Sequence, residues 1–294
     1  MSVEPTATRD GRIAVVIITR DRRDELLRTL DILAALPERP VVVVVDNGSG
    51  DGTPAAVREA HPAVEVIARI TDAGAAARTV GVRIVDSPYV AFCDDDSWWA
   101  PGSLTRAADL LDADPRLGLV AARVLVGPDE HLEPACAAMA ASPLAPEPGL
   151  PGPRVLGFVA CGAVVRRSAY LAVGGFAPHH GVGGEEALLA TDLAAAGWRL
   201  TYVDELVAYH HPSGVRDRTR RRAITVRNDL WFAWQRRPLA HAVRHTVRAA
   251  AAARRDPAAR AGVTAALRGL PRALRGRRPV GDALARELAL LDAT

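Results

Sequence analysis

Tyr89-Val90-Ala91-Phe92-Cys93 is a short apolar run, and it ends in three consecutive carboxylates, Asp94-Asp95-Asp96. Read as a strand, it places several negative charges at one sheet edge, where they repel unless a cation lies between them. A hard divalent ion, Mg²⁺ or Mn²⁺, is the simplest such cation, held by one or two carboxylates and completed by water and phosphate oxygens. The following Ser97-Trp98-Trp99-Ala100-Pro101 leaves a second reading open, a solvated turn opening a helix at Pro101-Gly102, where aspartate is also favoured. The rest of the chain decides between them.

Upstream, residues 13–18 form a continuous apolar, β-branched run, as expected of a strand buried on both faces. Leu26, Leu27, Leu30, Leu33 and Leu36 then fall at helical spacing and stop at Pro37, predicting a helix over 22–36. A second buried strand is expected at 41–45, ending in the turn-rich Asp46-Asn47-Gly48-Ser49-Gly50-Asp51-Gly52-Thr53. A helix at 54–60, a strand at 64–68, a small-residue helix at 74–85 and the strand at 89–93 continue the alternation. Such a pattern implies parallel βαβ units in an α/β, doubly wound sheet flanked by helices, whose ligands bind at the carboxyl ends of the strands. Four polar groups fall there: Thr19-Arg20-Asp21, Asp46, Asp72-Ala73-Gly74 with Arg78, and Asp94-Asp95-Asp96. They share one edge and can converge on one ligand. No GxGxxG follows the first strand and no GxxxxGK[ST] occurs, so a glycine-cradled nucleotide is not indicated.

Downstream, a helix at 102–113 and a strand at 117–126 are followed by residues 127–154, whose seven prolines and weak periodicity predict a long loop. Order resumes at 158–165, with helices at 167–173 and 185–196 and strands at 199–203 and 205–209. From about 217 onward the chain reads as helical and Arg-rich.

The 294 residues carry a net charge of +3, with all 37 basic residues arginine. Residues 1–211 hold 18 arginines against 28 acids, and residues 212–294 hold 19 against 6, so the average hides a division between −10 and +13. The final stretch therefore meets an anionic partner or the acidic body itself. Three scattered cysteines and no CxxC pair exclude a disulfide framework and fit a reducing, cytoplasmic compartment. Met1-Ser2-Val3-Glu4-Pro5 lacks the features of a signal peptide, and no apolar stretch approaches the ~18 residues that span a bilayer.

The stretches 15–20, 43–53, 72–81, 92–96, 160–168 (Ala-Cys-Gly-Ala-Val-Val-Arg-Arg-Ser), 173–176 (Val-Gly-Gly-Phe) and Gly184-Glu185-Glu186 running to Gly197-Trp198, in that order, resemble family 2 glycosyltransferases of the GT-A fold. The resemblance covers roughly residues 12–212. It implies a GT-A catalytic domain over 1–211, with a basic helical extension over 212–294, and a donor that is a nucleotide-diphosphate sugar. It implies that Asp46 binds the nucleobase edge and that the Thr19-Arg20 backbone borders the same base. Arg78 would face the pyrophosphate, and Asp72, Gly74 and Asp95 belong to the nucleotide-sugar set. Asp94 to Asp96 match the DxD element, with Asp96 the direct metal ligand and Asp94 nearer the ribose. Cys161-Gly162 floors the sugar–acceptor site. Glu185-Glu186 stands where the family has Glu-Asp, whose second member is the base; either glutamate fills that role here.

Inverting glycosyl transfer needs a carboxylate to take the acceptor hydroxyl proton and a Lewis acid for the departing nucleoside diphosphate, on opposite sides of the anomeric carbon. Glu185 or Glu186 and the aspartate cluster supply both. His210-His211 ends a strand, and because adjacent side chains on a strand diverge, at most one completes the metal shell. His179-His180 and the glycines up to Gly184 read as a mobile lid over the acceptor. The tail reads first as solvated helices on the acidic body. It reads second as a peripheral attachment to anionic lipid through Trp231, Phe232 and Trp234, suiting a lipid-linked or small-molecule acceptor. Nucleic acid is disfavoured, since no recognised motif accompanies the charge. Two rival functions are a catalytically silent nucleotide-sugar-binding or scaffold protein and a nucleotidyltransferase. The latter is disfavoured because Arg20-Asp21-Arg22-Arg23 lacks its glycine-rich signature.

Overall fold

The structure, a computed structural model, describes residues 10–212 and 218–292. The N-terminal stretch read for a leader lies outside these, as do residues 213–217 of the tail. The elements run β1 (Ile13–Thr19), α1 (Arg23–Ala34), β2 (Val41–Asp46), α2 (Thr53–Ala60), β3 (Glu65–Ala68), a 3-10 turn (Gly74–Ala77), α3 (Arg78–Ile84), β4 (Tyr89–Asp94), β5 (Ser97–Trp99) and α4 (Ser103–Ala113). They continue as β6 (Leu117–Val126), β7 (His131–Leu132), α5 (Pro134–Ala140), a 3-10 turn (Ala160–Gly162), β8 (Ala163–Arg166), α6 (Arg167–Ala172), α7 (Glu185–Ala195) and β9 (Arg199–His210). Five helices close the chain: α8 (Arg218–Arg236), α9 (Leu239–Ala252), α10 (Pro257–Arg268), α11 (Leu270–Arg275) and α12 (Asp282–Leu291).

One nine-stranded sheet runs in the order β3-β2-β1-β4-β8-β6-β9-β5, with β7 on β6. The half from β3 to β4 is wholly parallel, and β8 enters antiparallel between β4 and β6. The apolar runs of β1, β2 and β4 are buried on both faces, as their lack of alternation predicts. Helices cover them closely. Gly81 of α3 lies so near β1 that a Cβ there would meet Val16 Cγ1 at 2.6 Å, so the crossing tolerates no side chain. The register levels Thr19 with Asp46 and Ile18 with Asp94, which brings the polar strand ends to one edge.

Two departures from the sequence pattern shape the site. Residues 127–154 are not a structureless loop: Pro134, at the first turn of α5, starts a helix that buries Cys136 and Met139, and β7 pairs on β6. The strands expected at 199–203 and 205–209 are one strand, β9. Its pairing with β6 jumps from Ala122–Val203 to Arg123–Val207, a bulge that leaves Asp204 and Glu205 in solvent. Beyond the bulge β9 also pairs with β5, setting His210 opposite Ser97.

The C-terminal helices have a core of their own around Leu230, Trp231, Val263 and Ala273. They dock on the body through Arg236, bidentate to Asp192 of α7 at 2.5 and 2.8 Å, and through Arg154 with Glu287 at 2.8 and 3.1 Å. Leu288 packs with Leu144 and Leu156 of the body. Part of the tail's positive charge thus meets the acidic body. The three aromatics are not an outward anchor. Trp231 is 6 % exposed and donates to the Ala266 carbonyl, Trp234 donates to Thr246, and Phe232 packs toward Leu288. A helix with its indoles turned inward hides what a linear pattern reads as exposed.

Candidate active site

β4 ends at Asp94 and the chain reverses at once into β5, with Ser97 Oγ accepting the Asp94 N–H at 2.7 Å. This turn separates the three aspartates. Asp95 points back beneath the sheet edge, where its carboxylate accepts Thr19 Oγ1 at 2.9 Å and its carbonyl accepts Thr29 Oγ1 at 2.8 Å. Burial pushes its carboxyl up to about 7, against the pull of Arg22. Asp95 is therefore a brace between β4, β1 and α1.

Asp94 and Asp96 instead share a side with His210, and one ligand atom from each lies within 4.8 Å of the others. Asp96 is 4 % exposed; His210 Nε2 stands 3.3 Å from its Oδ1 and Arg22 Nη1 3.2 Å from its Oδ2. His211 faces the other way. Its N–H donates to the Asp96 carbonyl at 2.8 Å, and its ring rests on Trp98 at 4.7 Å between centroids. Two carboxylates and an imidazole at the end of buried strands are a donor set that fits Mn²⁺ or Mg²⁺, and the Arg22 guanidinium flanking Asp96 marks where positive charge is wanted. Arg78, 2 % exposed, lies 5.7 and 5.6 Å from the ring centres of Phe92 and Phe176 and donates to Asp94 Oδ1. The residue expected at the pyrophosphate thus orients a carboxylate of the cluster.

The neighbouring strand ends are locked to each other. Asp46 is buried, and its carboxylate accepts the N–H groups of Gly48 and Ser49 and the Ser49 hydroxyl, so the residue expected at the base edge shapes the loop that would border it. Arg20 reaches Asp72 at 2.8 Å, and the other oxygen of Asp72 accepts the Gly74 N–H at 2.7 Å. Asn47 bridges the two loops through the Ala73 N–H and the Gly74 carbonyl. Gly74, at φ +56°, lies against Gly181, where a Cβ would come within 2.6 Å of Gly181 Cα. On the other flank Cys161 is buried beneath the cluster, and the Asp94 charge adds to burial in raising its thiol pKa. A Cβ on Gly162 would strike Val124 at 2.4 Å.

Glu185 and Glu186 open α7. Glu185 is buried and folds back to accept the Gly183 N–H. Glu186 is half-buried and faces a cavity lined otherwise by apolar side chains, glycine and Ser142. Burial first and the Glu185 charge second raise its carboxyl well above the ordinary range, while Arg78 draws it down and Asp94 pushes it up. Glu186 is thus near enough to Arg78 and Asp94 to sense their charges. Between the two glutamates assigned from the sequence, the geometry leaves Glu186 open to an acceptor.

The loop ahead of α7 is tied down. Asn228 of α8, fully buried, donates to the carbonyls of His180 at 2.9 Å and Gly183 at 2.7 Å, Arg227 also reaches His180, and Gly181 O accepts the Ala75 N–H at 3.1 Å. Sequence reasoning missed Asn228, whose one signal was a polar residue on the face of α8 that also carries Ile224 and Trp231. It also missed Arg22, which it used only to argue against another enzyme class.

Comparison with known proteins identifies the family and the fold. A model of the family described as glycosyl transferase family 2 matches residues 14–174. An N-acetylglucosaminyl-diphospho-decaprenol L-rhamnosyltransferase of Mycobacterium tuberculosis is 29 % identical over 234 residues, covering 68 % of this chain and 76 % of its own. Among solved structures, a mannosyltransferase from Pyrobaculum calidifontis in complex with GDP-Man and Mn²⁺ is similar with a TM-score of 0.55 at 22 % identity, over 99 % of this chain and 88 % of its own. TarS 1–349 of S. aureus in complex with UDP-GlcNAc is similar at 0.58 and 17 %, over 75 % and 66 %. Those two show the GT-A fold, and the family match spans more than half of the sequence. This chain belongs to glycosyl transferase family 2.

Proposed function

We propose that this glycosyltransferase moves a sugar from a nucleotide-diphosphate donor to an acceptor hydroxyl with inversion, and that a divalent ion held by Asp94, Asp96 and His210 assists it. The supporting observation is the convergence of those three side chains at the sheet edge, with Glu186, whose carboxyl senses the Asp94 charge, at the start of α7. When bound, such an ion supplies positive charge to the diphosphate as it departs. Glu186 takes the acceptor proton while the acceptor oxygen bonds to the anomeric carbon, and the bond from that carbon to the phosphate oxygen breaks with its electrons leaving on the nucleoside diphosphate. Arg78 fixes the Asp94 rotamer, Asp95 clamps the turn, and the Asn228-tied loop sets the start of α7.

The relative's name includes a lipid-linked acceptor, and a peripheral position on an anionic membrane suits such work. Among the described residues no helix is long and apolar enough to cross a membrane. Leu239, Val243 and Val247 of α9 are 46–63 % exposed beside exposed Arg244 and Arg248, so this face, and not the tryptophans, carries the membrane contact. Flotation with anionic liposomes at low salt and release at high salt tests it; failure to float at low salt ends the idea. For the main reading, thermal stabilisation is measured against UDP, GDP and dTDP with and without Mn²⁺. A manganese-dependent rise is expected with one of them, and none with any would refute it. Turnover separates the enzyme from a silent binding protein.

A further inference from the structure

The cavity that Glu186 faces has a volume of about 590 Å³, within the range of sites that enclose a small molecule. Its walls come from four places: α5 in the proline-rich segment, residues 155–158, the start of α7, and α12 at the end of the chain. Met139, Val155, Leu156, Phe158, Ala187 and Leu291 are among its apolar lining. Among the described residues, only two of the lining side chains are polar. Ser142 already donates to the Arg154 carbonyl at 2.6 Å and accepts from the Leu144 N–H. The other is Glu186, and no described arginine lines the space.

We infer that this cavity receives a neutral, apolar acceptor body whose hydroxyl meets Glu186. The inference rests on the glycosyltransferase reading above and adds the chemical class of the acceptor. A hydrocarbon body loses water on entering these walls, and its one hydroxyl finds the one carboxylate that can accept its proton. An acceptor bearing a phosphate or diphosphate next to that hydroxyl finds no cation among the lining residues and meets the Glu186 charge. The C-terminal helices also gain a role in acceptor binding. Leu291 closes the cavity because Leu288 and the Arg154–Glu287 pair seat α12 on the body.

The test is calorimetric titration of the full chain with 1-octanol and with octyl phosphate, repeated on Ala135→Phe and Ala138→Phe, whose side chains project from the exposed rim of α5 and whose rings would fill the space. Octanol is expected to bind at least about tenfold more tightly than octyl phosphate and to weaken about tenfold in each variant, a change of roughly 1.4 kcal/mol. Glu186→Gln is expected to narrow the preference for the alcohol. Absence of octanol binding, equal or tighter binding of octyl phosphate, or indifference to both phenylalanines would overturn the inference. Nucleoside diphosphate binding with Mn²⁺ is measured in the same samples. Its absence from the wild type would sink the transferase reading, while the octanol titrations would still decide what the cavity holds.

Discussion

The turn at Asp94–Asp96 and the start of α7 at Glu185–Glu186 are both clusters of acids in one site, and they are treated in opposite ways. Around the aspartates the fold assembles nitrogen-bearing side chains: Arg78 on Asp94, and Arg22 and His210 on Asp96. Around the glutamates it places no such partner among the described residues. Glu185 is satisfied by a backbone N–H, and Glu186 is left against alkyl groups and an aromatic ring. The first arrangement sets carboxylate oxygens toward positive charge, as a metal or its diphosphate partner requires. The second favours the protonated form, as a group that must take up a proton requires. In the proposed mechanism, similar functional groups become an ion holder and a base through what surrounds them.

The largest test of that contrast is Glu186→Gln. Loss of a general base is expected to lower kcat by about 10²–10⁴-fold, with nucleoside diphosphate binding unchanged, while Glu185→Gln, which keeps an acceptor oxygen for Gly183, loses far less. Steady-state kinetics with a binding titration decide it; equal losses in the two variants would merge the roles separated here.

Next comes Asp96→Asn. It is expected to weaken manganese-supported nucleoside diphosphate binding by about 10²-fold, on the scale of one lost charge-assisted contact or ligand. Asp95→Asn should leave that binding near wild type and lower the melting temperature, because Asp95 serves Thr19 and the turn. If calorimetry showed Asp95→Asn to be the more damaging to binding, the division of the turn into ligands and brace would be wrong.

How much of this was legible beforehand follows from range. The parallel half of the sheet was readable because β1, β2 and β4 are continuous apolar runs with punctuated ends, and every signal needed is local. The aspartate turn was readable for the same reason. The resemblance also singled out Asp96 and Asp94 as the metal pair, but that Asp95 turns away to Thr19 was not readable, since it depends on the reversal into β5 and on a bulge in β9 more than a hundred residues away. His210 was separated from His211 only by pairing. Arg78, expected at the pyrophosphate through the resemblance, also packs beside Phe92 and Phe176 and holds Asp94, contacts that no local pattern shows. In the tail, composition showed the charge but not the face: Trp231 reads as an anchor in a line of arginines and proves to be core once α10 packs on α8.

The pH profile sharpens the contrast further. Glu186 acts as a base only when ionised, and burial holds its pKa above the usual carboxylate value. On the acid side of that elevated pKa, kcat/KM should fall about tenfold per pH unit. The linkage to stability has the opposite sign. A carboxyl raised on folding stabilises the fold fully below its unfolded pKa, and that contribution is lost as pH rises through the folded value. Glu186→Gln should therefore gain melting temperature over the wild type on the alkaline side and little in acid. Parallel melting curves across pH would show a constant offset if the side chain were in fact solvated.

The smallest expected effect concerns how the base is held. Asn228 ties two carbonyls of the loop that leads into α7, from a position with no exposure to water. Asn228→Ala leaves both carbonyls without that donor, at a cost of roughly 1–3 kcal/mol in stability, while Asn228→Asp keeps the volume but loses the donor and adds a negative charge near Glu185. Because the loop also meets Gly74 through Gly181, slack there reaches both acid clusters at once. The aspartates have cations of their own to hold them, so nucleoside diphosphate affinity should change little. Glu186 has no such partner among the described residues, and kcat should fall. A fall in donor affinity larger than the fall in kcat, measured on the alanine variant well below its melting temperature, would mean that the loop positions the ion site and not the base.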